Sequence, residues 1–232
     1  MMKKAELEII KEGKTGHGIL IENDGYMYIK NPKPIRESLE SGEWNVPYPF
    51  VVDAVFQKFG VKNANGRIYP EAVLKKQVEL YQEKINDRRA IGELNHPAES
   101  TIDLGRIAIN IVELHWEGRT LVGKLEINTS YGFRKYGIVG TRGDDMANLL
   151  MNGIKIGVSS RGVGSVEQKL GQYIVGDDFE LICWDVVSDP STPGAFVGAA
   201  EDLQQYVEND TTRDEKPTLN EKINKIKNIL KS

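Results

Sequence analysis

The sequence predicts an α+β fold in which a mainly antiparallel sheet carries flanking helices. Two observations lead there. Apolar runs with alternate polar positions recur along the chain, separated by Gly, Asn and Asp, as strands and tight turns require. Between Pro70 and Asn86 the spacing changes: Val73, Leu74, Val78, Tyr81 and Ile85 recur at helical intervals, with lysines and glutamates on the other face. At 232 residues, 40% of them hydrophobic, the chain can fill one substantial core. One main domain is therefore expected over residues 50–207, after a small β-element and loop (1–49) and before a linker with an amphipathic helix (208–232).

Leu7–Lys11 and Gly18–Glu22 read as short strands, and Asn23-Asp24-Gly25 predicts a hairpin turn into Tyr26–Ile29. Pro32, Pro34, Pro47 and Pro49 make the next stretch a loop that delivers the chain to a strand, Phe50–Phe56. Asn65-Gly66 supplies a turn, and Pro70 opens the helix where its missing N–H is tolerated. Arg89–Leu94 is a brief strand ending at Asn95-His96-Pro97. Arg106–Trp116 and Arg119–Ile127 are joined by Glu117-Gly118 as an antiparallel hairpin. Tyr131–Thr141 is glycine-rich and reads as irregular. Asp144 and Asp145 suit the positive end of a short helix containing Met146, Leu149 and Leu150, which Asn152-Gly153 stops.

Ile154, Ile156 and Val158 then form a strand that runs into Ser159-Ser160-Arg161-Gly162-Val163-Gly164, read as a polar turn whose glycines leave backbone N–H groups free. Ser165–Gln168, Gln172–Val175 and Phe179–Val187 are three further strands. Pro190–Gly194 breaks the sheet, Ala199–Val207 is a closing helix, and Glu208–Pro217 has too little to bury and is a flexible linker. Leu219, Ile223, Ile226 and Leu230 make an apolar stripe on a lysine-rich helix that needs a surface to dock on.

Several function classes are disfavoured. A net charge of −4 gives no electrostatic footprint for nucleic acid. A lone cysteine, Cys183, can form no internal disulfide and no zinc site, which fits a reducing compartment and a cytosolic setting. The N-terminus is acidic where a signal peptide is apolar, and no run reaches the length of a membrane span, so neither export nor anchoring is expected. There is no phosphate-binding loop or dinucleotide fingerprint, and no cofactor is expected. Asp103, Asp144, Asp145, Asp177 and Asp178 are candidate metal ligands, but they lack histidines at ligand spacing and sit where caps and solvated turns are usual.

The search for a general base is short, because the chain has three histidines. His17 lies between glycines in a turn, and His115 shares a strand face with Glu113 and Glu117. His96 is different, being held between Asn95 and Pro97 at a strand end. A hydrolytic serine needs a base, donors for the oxyanion and a group that orients the base. Ser159 with His96 meets the first requirement if the fold brings the two strand ends together. Asp185, on an apolar strand between Trp184 and Val186, is the favoured orienting group, because a carboxylate buried there needs a partner. Glu93, close to His96 in sequence, is the alternative.

Three stretches in this order, Asn65-Gly66-Arg67-Ile68-Tyr69-Pro70, Gly92-Glu93-Leu94-Asn95-His96-Pro97 and Gly157-Val158-Ser159-Ser160-Arg161-Gly162-Val163-Gly164-Ser165, resemble the prohead core proteases of tailed bacteriophages, as does the later Trp184–Ser191 segment. The resemblance covers residues 50 to 200. It implies a serine endopeptidase with a herpesvirus assemblin-like fold, a mainly antiparallel β-barrel-like sheet with flanking helices. It also implies His96 as general base and Ser159 as nucleophile, with Ser160 as runner-up. Assemblins use a histidine as third member; none follows Ser159 here, so Asp185 is the substitute. Arg161, with Ser160 and Gly162 beside it, is carried over as an oxyanion group.

The resemblance further implies cleavage of phage scaffold or core proteins, the major capsid protein and the chain itself, after glutamate, inside the assembling prohead in the host cytoplasm. Glu12 and Glu221 fit the loose cleavage pattern, and association into a homo-oligomer is expected. The alternative is a non-catalytic capsid-assembly or scaffold-docking protein with a related fold.

Overall fold

The computed structural model describes residues 7–28, 44–97 and 99–188. Among them, nine strands form one sheet: β1 (Gly16–Tyr28), β2 (Phe50–Lys58), β3 (Arg67–Ile68), β4 (Ile91–Glu93), β5 (Ile107–Glu117), β6 (Thr120–Ile127), β7 (Ile156–Lys169), β8 (Gln172–Val175) and β9 (Glu180–Val187). The helices are α1 (Glu71–Asn86), α2 (Tyr131–Tyr136) and α3 (Arg142–Met151), with a 3-10 turn at Leu104–Arg106. The sheet runs β3-β8-β7-β1-β2-β6-β5-β4, with β9 also on β7. All pairings are antiparallel except β3 with β8. The fold is α+β, mostly strand with few helices, and the sheet is not a closed barrel: β4 approaches β9 through one isolated bridge, Leu94 with Val186.

β7 organises the sheet. It pairs with β1 along one edge, and its other edge is shared by β9 over its first half and β8 over its second. β1 lies between β7 and β2, so the N-terminal strand belongs to the same sheet as the strands after residue 50. Helix α1 buries Leu74, Val78 and Tyr81. Tyr81 and Phe56 meet the Trp184 ring edge-on at centroid distances of 4.9 and 5.3 Å, an arrangement that adds about 0.5–1.5 kcal/mol per pair beyond area burial. The same helix satisfies backbone groups of β9. Gln77 Oε1 accepts from Leu181 N at 3.0 Å, and Lys84 Nζ donates to Ile182 O at 2.9 Å.

Several elements differ from the sequence expectation. Asn23-Asp24-Gly25 is a bulge within one long strand and not a hairpin turn: the β1–β7 register shifts between Glu22 and Gly25. Turn residues and bulge residues are the same types, and continuous pairing with β7 decides between them. Leu7–Lys11 makes only an isolated bridge, Ile9 with Ile19. Pro70 is the residue before helix α1, not its first. Tyr131–Thr141 is not all irregular, because Ser130 Oγ caps α2 and left-handed Gly137 ends it.

The largest correction concerns Ser159–Gly164, which is no turn. β7 continues through it to Lys169, and Ser165–Gln168 is its far end. Gly162 and Gly164 are required by packing: a Cβ on Gly162 would lie 2.3 Å from the Phe179 ring, and one on Gly164 2.8 Å from Phe179 Cα. Pro190–Gly194, the closing helix Ala199–Val207, the linker, the amphipathic helix and Glu221 lie outside the described residues.

Candidate active site

Strand alternation places the site. Ser159 and Arg161 are two apart on β7, so they share a face. Their cross-strand partners on β9 are Asp185 and Cys183, which share it too. One ladder therefore holds serine, arginine, carboxylate and thiol in a single patch. His96 arrives from elsewhere. Leu94 bridges to Val186, Asn95 N donates to Val186 O at 2.8 Å, and Asn95 takes a left-handed conformation (φ 69°) that turns the chain so that His96 faces the patch.

His96 Nε2 is hydrogen-bonded to Ser159 Oγ, and His96 Nδ1 lies 2.9 Å from Asp185 Oδ2. The serine and the aspartate are fully buried, while the imidazole is 12% exposed. Arg161 Nε approaches the same Oδ2 at 2.9 Å, and Nη2 donates to Oδ1 at 3.3 Å. Both contacts at Oδ2 are close but bent away from a linear hydrogen bond. Asp185 Oδ1 also accepts from Glu93 N at 3.0 Å and lies 3.3 Å from Cys183 Sγ.

Burial alone would raise the Asp185 carboxyl. The His96 imidazole, the Arg161 charge and the Glu93 N–H outweigh it and hold the group below the usual carboxylate range. Asp185 is thus ionised beside the ring nitrogen that would carry the proton. Cys183 goes the other way: burial first, then the Asp185 charge, push its thiol far up, so the sulfur stays protonated.

Arg161 ties three pieces of chain together. Besides Asp185, its Nη1 donates to Glu99 O at 2.6 Å and reaches Thr101 O at 3.4 Å, and its Nη2 lies 3.4 Å from Glu93 Oε2. Glu93 Oε1 in turn accepts from Asp103 N. The segment following His96 is therefore fastened to the serine strand through one guanidinium, each of whose nitrogens lies within 3.5 Å of a protein acceptor.

Of the residues singled out from sequence, Ser159, His96 and Asp185 come together in a chain of contacts, and Arg161 lies behind them. Glu93 is buried behind Asp185, bonded to Asp103 and facing Arg161. Ser160 points to the opposite face of β7, where its partners across the ladders are Trp184 and Glu22. Gly162 is held in the ladder between Leu20 and Leu181. Glu12 is exposed in a turn closed by Lys14 N donating to Lys11 O. Four of the five carboxylates weighed as metal ligands have protein donors: Asp144 accepts from Ser130, Gly140 and Thr141 N–H groups, Asp103 from Gly105 N, Asp178 from Ser165, and Asp145 from Arg142.

A second buried cluster was not anticipated. Glu22, fully buried on β1, accepts from Arg67 Nη1 (2.8 Å) and Tyr69 Oη (2.9 Å) on one oxygen, and from Asn63 Nδ2 (2.6 Å) and Asn65 Nδ2 (2.7 Å) on the other. The available signal is the polar set Asn63, Asn65, Arg67 and Tyr69 at every second position, which implies one strand-like face in need of a partner.

Comparison with known proteins agrees with this architecture. The chain matches the prohead core protein serine protease family over residues 20–205. It is 33% identical over 187 residues to the prohead core protein protease of Enterobacteria phage T4, covering 78% of this chain and 84% of that one. Among solved structures it resembles the bacteriophage T4 capsid assembly protease gp21, with a TM-score of 0.57 and 31% identity over 73% of this chain and 96% of the other. With the family match spanning most of the chain, including every residue of the Ser159–His96–Asp185 arrangement, this protein belongs to the prohead core protein serine protease family.

Proposed function

We propose that the chain is a serine endopeptidase that cleaves scaffold and capsid proteins, and itself, during maturation of a phage prohead. The observation that carries the reading is the unbroken contact series Ser159 Oγ to His96 Nε2, and His96 Nδ1 to Asp185 Oδ2. Ser159 attacks a peptide carbonyl while His96 takes its proton. Asp185 keeps the ring oriented with Nδ1 protonated and stabilises the imidazolium, and water then resolves the acyl-enzyme. The ionised Asp185 faces the ring on which that proton arrives.

Arg161 serves this reading as the cation that holds Asp185, its side chain being engaged away from any oxyanion. The oxyanion role then falls to backbone donors beside Ser159, where the β1 bulge interrupts the regular ladder. Glutamate at the cleaved position, Glu12 and Glu221 as self-cleavage sites, homo-oligomerisation and action inside the prohead in the host cytoplasm belong to the same proposal, supported by the family membership. An assemblin-like fold, with an open and not a closed sheet, belongs to the same proposal and is supported by the family membership.

Co-expression of the full chain with its scaffold protein tests the reading. Scaffold cleavage is expected with the native chain and is expected to vanish in Ser159→Ala and His96→Ala, a loss of about 10⁴-fold or more. Cleavage that survives Ser159→Ala rejects the mechanism and leaves the non-catalytic assembly role.

A further inference from the structure

The strand position opposite Ser159 is a defect in the sheet. On β1, Glu22 faces Ser160 and Gly25 faces Val158, so two residues, Asn23 and Asp24, stand across from Ser159 alone. Two residues opposed to one is the definition of a bulge, which bends its strand and removes local pairing. Such a bulge needs fixing at both ends if the residue it faces is to keep one position. Downstream, Gly25 is wedged: a Cβ there would lie 2.4 Å from Val55 O and 2.9 Å from Val158 Cβ.

Upstream, the fixing point is Glu22. Its two oxygens accept four side-chain donors, all from the segment Asn63–Tyr69, and Asn65 Nδ2 also grips Ile21 O at 2.8 Å. Arg67 Nη2 reaches on to Ile10 O at 2.8 Å. Burial pushes the Glu22 carboxyl up, and the Arg67 charge with the Asn65, Tyr69 and Asn63 donors offsets that cost in part. This is an expensive device for merely joining a loop to a strand, since an apolar contact of equal volume would do that. A carboxylate with four directed donors instead fixes one orientation.

We infer that Glu22, held by Asn63, Asn65, Arg67 and Tyr69, is a positioning residue for Ser159, pinning the start of the β1 bulge and with it the backbone that the nucleophile faces. The inference rests on Ser159 being the nucleophile. The Glu22 cluster lies on the face of β7 opposite His96 and Asp185, so it acts through the strand and not through the base.

The test is the rate at which a serine-reactive fluorophosphonate labels Ser159 in the full chain, well below each variant's melting temperature, alongside the NMR titration of His96. Glu22→Gln retains the shape but turns an amide N–H₂ toward one of the donor pairs; labelling is expected to slow about tenfold to a hundredfold, with the His96 titration unchanged. Tyr69→Phe removes one donor while keeping the ring against Phe179 (5.1 Å), and a drop of about threefold to tenfold is expected; it stands in should Glu22→Gln fail to fold. Folded variants that label at the wild-type rate overturn the inference, whatever their loss of stability. No labelling of the wild type overturns the serine reading and this inference with it, whereas wild-type labelling that Ser159→Ala abolishes keeps the reading whichever way the variants fall.

Discussion

Ser159 and Asp185 are direct partners across the β7–β9 ladder. The nucleophile and the carboxylate of the proposed triad are therefore set by sheet register, and only the imidazole must be brought in by a loop. A one-residue slip of β9 would turn Asp185 to the other face and Trp184 into the site. The Leu94–Val186 bridge and the Gln77 and Lys84 bonds to β9 guard against that slip.

Asp185→Asn separates the two carboxylates weighed for the third role. It leaves Arg161 without its closest anion and favours the wrong imidazole tautomer, so kcat is expected to fall about 10⁴-fold. Breaking a buried pair also costs about 3–5 kcal/mol. Glu93→Gln should show the reverse balance, with a clear stability loss and a much smaller change in kcat. Peptide cleavage and urea melts of both variants check this, and a larger kcat loss in Glu93→Gln would transfer the role.

Arg161→Lys keeps the charge but gives up the fork that spans Asp185, Glu99 O and Thr101 O. A loss of about 1.5–3 kcal/mol is expected in denaturant melts. A double-mutant cycle with Asp185→Asn should return a coupling of about 1–3 kcal/mol, as residues in one network do. Additive effects on both stability and kcat would point back to an oxyanion role for the arginine.

Asn95→Gly and Asn95→Ala should differ, because Asn95 holds φ at 69° immediately before His96. Alanine pays the left-handed penalty of about 1–2 kcal/mol, whereas glycine avoids it. Activity should follow the same order, since relief of the strain at position 95 in Asn95→Ala moves His96 off Ser159. Melting temperatures and kcat/KM of the two variants give the comparison.

Acid should destabilise the fold through three carboxyls. In Asp185, Asp144 and Asp178, burial raises the group but is outweighed, by His96 and Arg161 in the first, by backbone N–H groups led by Ser130 in the second, and by Ser165 with His17 in the third. Each folded value lies below its unfolded one, so the native state binds fewer protons. The stabilisation is present above about pH 4 and is lost as pH falls through the lower folded values. Urea midpoints followed from neutral pH downward should drop there, with a shallower drop in Asp185→Asn.

The helix Glu71–Asn86, the Ile107–Ile127 hairpin and the pairing of Ser159 with His96 were legible because each depends on local periodicity or on a scarce residue type. Asn23-Asp24-Gly25 was not, because turn and bulge share a composition and only the partner strand distinguishes them. Gly162 and Gly164 read as turn residues; their reason is Phe179, close in space across the β7–β9 region. Arg161 lies beside the Ser159–His96–Asp185 arrangement, but the direction of its side chain depends on two carboxylates distant in sequence, Glu93 and Asp185. Helix α2 had a readable signal in Ser130 and Gly137, overshadowed by its glycine content.

Cys183 gives the site a built-in reporter. It is the chain's single cysteine, it is fully buried, and it lies 3.3 Å from both Arg161 Nη2 and Asp185 Oδ1. A protonated, enclosed thiol is a poor target for alkylating and disulfide reagents. Cysteine-directed inhibitors therefore have no purchase on the folded chain, and any thiol that does react marks molecules in which β9 has parted from β7.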